Sequence, residues 1–238
     1  MFRLRPPIAV VLATLAASFV AVPAAGAQAP APTATGGAAF GNAGPTGLDV
    51  DPGGFLGRPL AISGRVESLA GQAVRIERLD AATRAWVAVA RATADEDGAF
   101  SAQWDPDIPG DQTLRAVPDT GSAAQASTAD AGPSARTTIY RSAGATWYGP
   151  GFWGRTTACG VRLTKTLLGV AHRTWPCGTR VAVYLDGRQT EVTVVDRGPY
   201  AKGVSLDLTK AAADQIGLTE IGRGAIGWYR RPAAANVR

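Results

Sequence analysis

From residue 58 to residue 117 apolar and polar positions alternate in five short runs: RPLAISGRV, AVRIERL, WVAVARA, GAFSAQW and QTLRAV. A period of two is the signature of a strand with one face buried. Ala70-Gly71, Asp95 to Gly98 and Pro109-Gly110 punctuate the runs as turns. Short strands at this spacing predict a β-sandwich of immunoglobulin type over residues 47–141, with Trp86, Phe100 and Trp104 in its core. The small polar stretch 121–135 reads either as a loop of that sandwich or as part of a linker.

A second set of runs starts near Ser142. ATWYG, LLGVAH, TRVAVYL, EVTVVD, VSLDL and AIGWYRR are strand-like. Leu185 to Arg188, LDGR, carries the Asp-Gly signal of a tight hairpin. TKAAADQIG is the one helical pattern, with Thr209 placed to cap it and Gly217 placed to end it. Six strands and one helix in about 90 residues predict a small closed barrel over residues 142–231, because closure removes the exposed edges of so short a sheet. Residues 232–238 remain as a tail. The predicted fold class is therefore all-β: a sandwich, then a six-stranded barrel with one short helix.

The first 46 residues show neither period. Arg3 and Arg5 precede an apolar run from Ile8 to about Val22, and Ala25-Gly26-Ala27 follows as a small-x-small cleavage signal. This reads as a secretory signal peptide over residues 1–27, removed on export and leaving no stable membrane insertion. Residues 28–46, rich in Ala, Pro, Gly and Thr, read as a flexible linker. Export changes the meaning of the chain's 2 cysteines. In an oxidising compartment Cys159 and Cys177 are expected to pair, a bond that stabilises by roughly 3 kcal/mol for a loop of this length. Buried free thiols are the alternative. With a single histidine in the chain, His172, a zinc site is not expected.

Charge separates the two halves. Beyond residue 141 there are 13 Lys/Arg against 6 Asp/Glu, whereas residues 40–141 hold 9 against 13. A basic exported domain suits an anionic partner such as a bacterial wall. Nucleic acid is not expected as a partner, since no nucleic-acid motif is present.

Three strings in the basic half carry a resemblance: ATWYGPGFWGRTTACG (145–160), GVAHRTWPCGTRV (169–181) and VVDRGPYAKGVSLDLTKAAADQIG (194–217). Together they resemble the double-psi β-barrel of the rare lipoprotein A family, the septal-ring lytic transglycosylases. TWYG, ACG and LDLT are also similar to the barrel of expansins and barwin-like proteins. The resemblance implies a fold, a partner (peptidoglycan glycan strands) and a reaction, cleavage of those strands without water and without a cofactor. It also implies a site: a glutamic acid after Gly160, a histidine at His172 and an aspartate at Asp196. Residue 161, however, is valine, which cannot give a proton to a leaving oxygen.

Asp196 and His172 are thus the candidate catalytic residues. Asp196 reads equally as the acceptor of a turn, and His172 as a structural histidine bonded to backbone. Asp207 corresponds to an expansin-type site aspartate or to a helix-entry acceptor. Tyr148, Phe152, Trp153, Trp175 and Tyr200 are candidate sugar-stacking faces or barrel core, and Trp147 reads as core by alternation. Arg155, Arg173 and Arg197 are candidate holders of wall carboxylates or part of a solvated basic face. Three functions fit: a transglycosylase with a modified site, a wall-binding or wall-loosening protein that breaks no bond, and a module that grips a partner protein. The expected state is a secreted, wall-associated monomer.

Overall fold

The computed structural model describes residues 47–121 and 132–232. The expected signal peptide, the linker 28–46 and the tail beyond Pro232 lie outside them. The described chain forms strands β1 (Gly47–Val50), β2 (Gly53–Phe55), β3 (Leu60–Arg65), β4 (Ala73–Leu79), β5 (Trp86–Thr93), β6 (Ala99–Trp104), β7 (Gly110–Pro118), β8 (Ser134–Tyr148), β9 (Gly169–Ala171), β10 (Arg180–Leu185), β11 (Arg188–Asp196), β12 (Leu206–Thr209) and β13 (Gly224–Arg230). Helices α1 (Lys210–Ile216) and α2 (Leu218–Ile221) sit between β12 and β13. Among the described residues no helix is long and apolar enough to cross a membrane.

In the first half two sheets pack face to face. One has the order β1-β3-β6; the other has β8-β7-β4-β5, with β2 parallel to β8. Alternation sends Leu60, Ile62, Phe100 and Trp104 inward from the first sheet and Val74, Ile76, Leu114 and Ile139 inward from the second, forming one core. Trp86 departs from the expected core. It pairs with Leu79, on the face of the sheet that carries Glu77 and Arg115. There the Arg115 guanidinium lies 4.2 Å from its ring centroid, and Glu77 is held between Arg75 and Arg115. Glu77 and the arginines beside it make this outer face largely charged, and a cation covers the large ring.

The second half is a closed ring: β8, β12, β9, β11, β10, β13 and back to β8. Two of its pairings, β8 with β12 and β9 with β11, are parallel. Val170, Val181, Val183, Val192, Val194, Leu206, Leu208 and Ile226 fill its interior. The hairpin at Asp186-Gly187 has both residues at positive φ (46° and 81°), as a two-residue turn between twisted strands requires. Gly217 ends α1 in the left-handed conformation as expected. Thr209 does occupy the N-cap position, but its hydroxyl does not cap. Instead it donates to the Leu167 carbonyl at 2.5 Å and accepts from the Gly169 N–H, tying the loop before β9 to β12.

One strand joins the two halves. Residues 134–139 of β8 pair with β7, and residues 141–148 pair with β13 and β12. No linker intervenes at Ser142; of the stretch 121–135, residues 122–131 lie outside the described residues, and Ser134 and Ala135 open β8. Across the seam Tyr140 stacks on Tyr184 with centroids 5.0 Å apart, and its hydroxyl donates to Gln189 at 2.8 Å. Residue 53 must be glycine there, because a Cβ would meet the Tyr184 ring at 2.6 Å.

Candidate active-site groove

Register builds the groove. Thr146 on β8 is the partner of Asp207 on β12; Asp207 is also the partner of Ala171 on β9, and Ala171 is the partner of Asp196 on β11. Four adjacent strands therefore carry one cross-strand row on the outer face of the barrel. Two strand spacings separate the aspartates, roughly 10 Å between Cα atoms. The small Ala171 between them leaves the floor open. Phe152, Arg155, Thr157, Leu163, Pro199 and Tyr200 raise the sides, giving a groove of about 590 Å³ that Tyr148, Asp196 and Asp207 also line.

Asp196 reaches this face because of a bulge. Val194 pairs with Val170 and Asp196 with Ala171, so Val195 is an extra residue. Strict alternation would have turned Asp196 into the barrel; the inserted residue reverses its side. Val195 is itself buried and lies over Gly169, where a Cβ would meet its side chain at 2.5 Å. A glycine at 169 is thus part of how Asp196 is aimed.

The two carboxyls have different surroundings. Asp196 Oδ1 accepts the N–H of Ala158 at 2.9 Å and that of Arg197 at 2.8 Å. It is the acceptor in both bonds. Asp207 is partly buried. Burial pushes its carboxyl above the ordinary range; the Thr146 hydroxyl, which donates to Oδ1 at 2.6 Å, opposes the rise, and the charge of Asp196 adds to it. Tyr148 stands beside both. Burial, then the charges of Asp196 and Asp207, raise its pKa and keep its hydroxyl protonated. That hydroxyl is buried and makes no hydrogen bond of normal geometry among the described residues, so a bound polar group would satisfy it.

The other expected site residues divide. Phe152 is half exposed on the rim, edge-on to Tyr148 at 6.4 Å, with the Arg155 guanidinium 5.5 Å from its centroid. Tyr200 is 80% exposed, free to meet a ligand. Trp153 instead packs on the backbone of Gly149. Arg173 and Arg197 hold loops together. Arg173 donates to the carbonyls of Pro199 and Val204, at 2.5 and 2.8 Å. Arg197 donates to those of Trp175 and His172, at 2.9 and 3.3 Å, while its backbone stays on the groove wall.

His172 does not share the groove with Asp196. Ala171 faces the groove, so the next residue turns away. The imidazole stacks on Trp175 at 3.7 Å, and Nδ1 accepts the N–H groups of Thr174 and Trp175. Burial lowers its pKa, with the positive charges of Arg173, Arg197 and Arg230 adding to the effect. A neutral ring is what an accepting Nδ1 needs. Cys159 and Cys177 are bonded, Cα atoms 5.7 Å apart, and join the Ala158 loop to the turn after His172. Val161 is not among the groove's lining residues; its N–H and C=O close a turn with Thr157. Thr146 and Ala171 are among the lining residues that reading by residue type passes over. Alternation with the core residue Trp147 is the signal that places Thr146 on the groove face.

Residues 141–228 match the family model described as lytic transglycolase. These residues are a double-psi β-barrel of the lytic transglycolase family. Within the double-psi barrel the chain is 48% identical over 82 residues to a probable endolytic peptidoglycan transglycosylase RlpA of Synechocystis, covering 34% of this chain and 26% of that protein. It is 46% identical over 80 residues to a protein of the same description from Aquifex aeolicus, covering 33% and 35%. The endolytic peptidoglycan transglycosylase RlpA of Campylobacter jejuni is 41% identical over 80 residues, covering 33% and 29%. The chain thus matches about a quarter to a third of the length of these relatives. Among solved structures, the Streptomyces papain inhibitor is 25% identical, over 37% of this chain and 91% of that one, with a TM-score of 0.32.

Proposed function

We propose that the double-psi barrel binds peptidoglycan glycan strands in the groove and cleaves them, with Asp207 as the acid and Asp196 as the base. The observation that carries this reading is the pair itself: two carboxyls in one groove, one pushed toward the protonated form by burial and the other held by two backbone N–H groups. Environments of this kind separate acid from base. Protonated Asp207 gives its proton to the bridging oxygen as the glycosidic bond breaks. Asp196 takes the proton from the sugar hydroxyl that closes on the anomeric carbon, so an anhydro end forms and no water is consumed. Both carboxyls then exchange protons with solvent. Tyr148 donates to the bound sugar or to the carboxylate nearest it, and Phe152 and Tyr200 offer flat faces to sugar rings. The similarity to peptidoglycan transglycosylases supports the substrate class and an extracytoplasmic, wall-associated site of action. A three-plus-five strand arrangement, with the first strands switching between sheets, supports reading residues 47–141 as an immunoglobulin-like spacer or adhesion module.

Val161 favours a second reading, a barrel that holds the strand and leaves it intact, because the glutamic acid expected after Gly160 is absent. Incubation with stripped glycan strands separates the two. Anhydro-sugar ends that disappear in Asp207→Asn support cleavage by the pair. Retained binding without new ends supports the second reading.

A further inference from the structure

A second cavity, of about 330 Å³, opens where the sandwich meets one mouth of the barrel. Trp175, Trp228, Tyr229, Arg141, Arg230 and, from the sandwich, Pro109 line it. Strand geometry builds it. Trp228 and Arg141 are direct cross-strand partners, and Arg230 lies two residues beyond Trp228 on the same face of β13. That face is the one that carries Ile226 into the barrel core. Trp175 and Trp228 close the mouth with their rings 4.9 Å apart, and the two arginines stand at its edge.

The charges at this mouth are unbalanced in a particular way. Arg180 and Arg231, nearby, are both paired, with Glu191 and Asp111. Arg141 and Arg230 are exposed and have no acidic partner among the described residues. Two free guanidinium groups beside indole and phenol faces match a ligand with both a carboxylate and a flat, weakly polar ring. The turn from His172 to Gly178 separates this cavity from the carboxylate groove, and Arg197 spans that turn from the groove side.

We propose that this mouth is a second binding site, for the carboxylate-bearing sugars of the same glycan strand that occupies the groove. It rests on the peptidoglycan reading above and extends it: the sandwich contributes a wall of the site, and the strand is held on both sides of the His172–Gly178 turn. A bidentate guanidinium contact to a carboxylate supplies affinity that a neutralised sugar cannot draw on.

The test uses the full chain carrying Asp207→Asn, so that strands stay whole. It is titrated with stripped glycan strands, which keep a lactyl carboxylate on alternate sugars, with the same strands after conversion of those carboxylates to methyl amides, and with polyglycerol phosphate. Binding is expected to weaken by about tenfold on amidation. Adding Arg141→Gln and Arg230→Gln should lower affinity for the acid strands by a similar factor and abolish the difference between the two strand forms. Equal binding of both forms by the parent, an undiminished preference in the arginine variant, or tighter binding of polyglycerol phosphate than of the acid strands would each overturn the second site while leaving the groove intact. No binding of any strand would overturn the peptidoglycan reading along with it.

Discussion

Asp207 and Asp196 stand in one cross-strand row with only Ala171 between them. Their placement owes little to their distance in sequence and much to a bulge at Val195, which turns Asp196 to the face that Asp207 already occupies. The two carboxyls then differ in environment. Asp207 is raised by burial and sits within the field of Asp196, while Asp196 is fixed by backbone N–H groups.

The raised pKa of Asp207 has a consequence for stability. A carboxyl whose folded value lies above its ordinary 3.8 favours the folded state at low pH, and that contribution is lost as pH rises through the raised value. At neutral pH its charge therefore weighs against folding. Asp207→Asn removes the charge and keeps an oxygen for the Thr146 hydroxyl. The melting temperature of the variant relative to the natural protein should rise between pH 3 and pH 7. A difference that stays constant over that range would show that Asp207 is not perturbed by burial.

Gly169→Ala tests how the bulge aims Asp196. The added methyl would meet Val195 at 2.5 Å and Thr209 at 3.2 Å, in a fully packed region. Overpacking of this kind costs about 1–3 kcal/mol. Urea denaturation should show a loss in that range, with glycan cleavage falling further than stability alone explains. Unchanged cleavage would mean that Asp196 does not depend on the Val195–Gly169 contact.

Cysteine chemistry reports on the groove wall. Both thiols should resist alkylation until the protein is reduced, because they are bonded across 18 positions. Replacing both with serine should cost roughly 3 kcal/mol. It should also loosen the Ala158 loop, whose N–H holds Asp196. Labelling of two free thiols in the unreduced exported protein would contradict the pairing.

At the seam, Tyr184 is the residue on which Tyr140, Phe55 and Gly53 converge. Tyr184→Ala should lower stability by about 3–5 kcal/mol, as truncation of a buried aromatic does. Tyr140→Phe, which loses only the bond to Gln189, should cost about 1 kcal/mol. Similar small losses for both would show that the two halves are not locked through this cluster.

Period-two alternation made most strands legible, since each has one face in a core. It failed where strands are short and rich in glycine: GLDV and GGF, which form β1 and β2, show no period. It also failed for Trp86, because hydrophobicity alone does not say which face of a sheet is covered by charges. The carboxylates of the site were visible as residue types, Asp196 at a strand end and Asp207 ahead of the helix, but their partnership was not. Asp207 pairs with Ala171 through a register that spans 36 positions, and the bulge that brings Asp196 to the same face is silent in the string VTVVD. His172 shows the converse. Its motif context suggested a site, and simple alternation after Ala171 turns it toward Trp175 instead.

In the proposed reaction Asp207 supplies the proton that Val161 cannot. Mass spectrometry of stripped glycan strands after incubation tests it most directly. The natural protein should generate anhydro-sugar ends, and Asp207→Asn should reduce their rate of formation by about 10²- to 10⁴-fold, the range expected for loss of a general acid, while sedimentation with insoluble wall is retained. Absence of anhydro ends with the natural protein, together with their appearance in Val161→Glu, would contradict the claim and leave the barrel a binding module that lacks its acid.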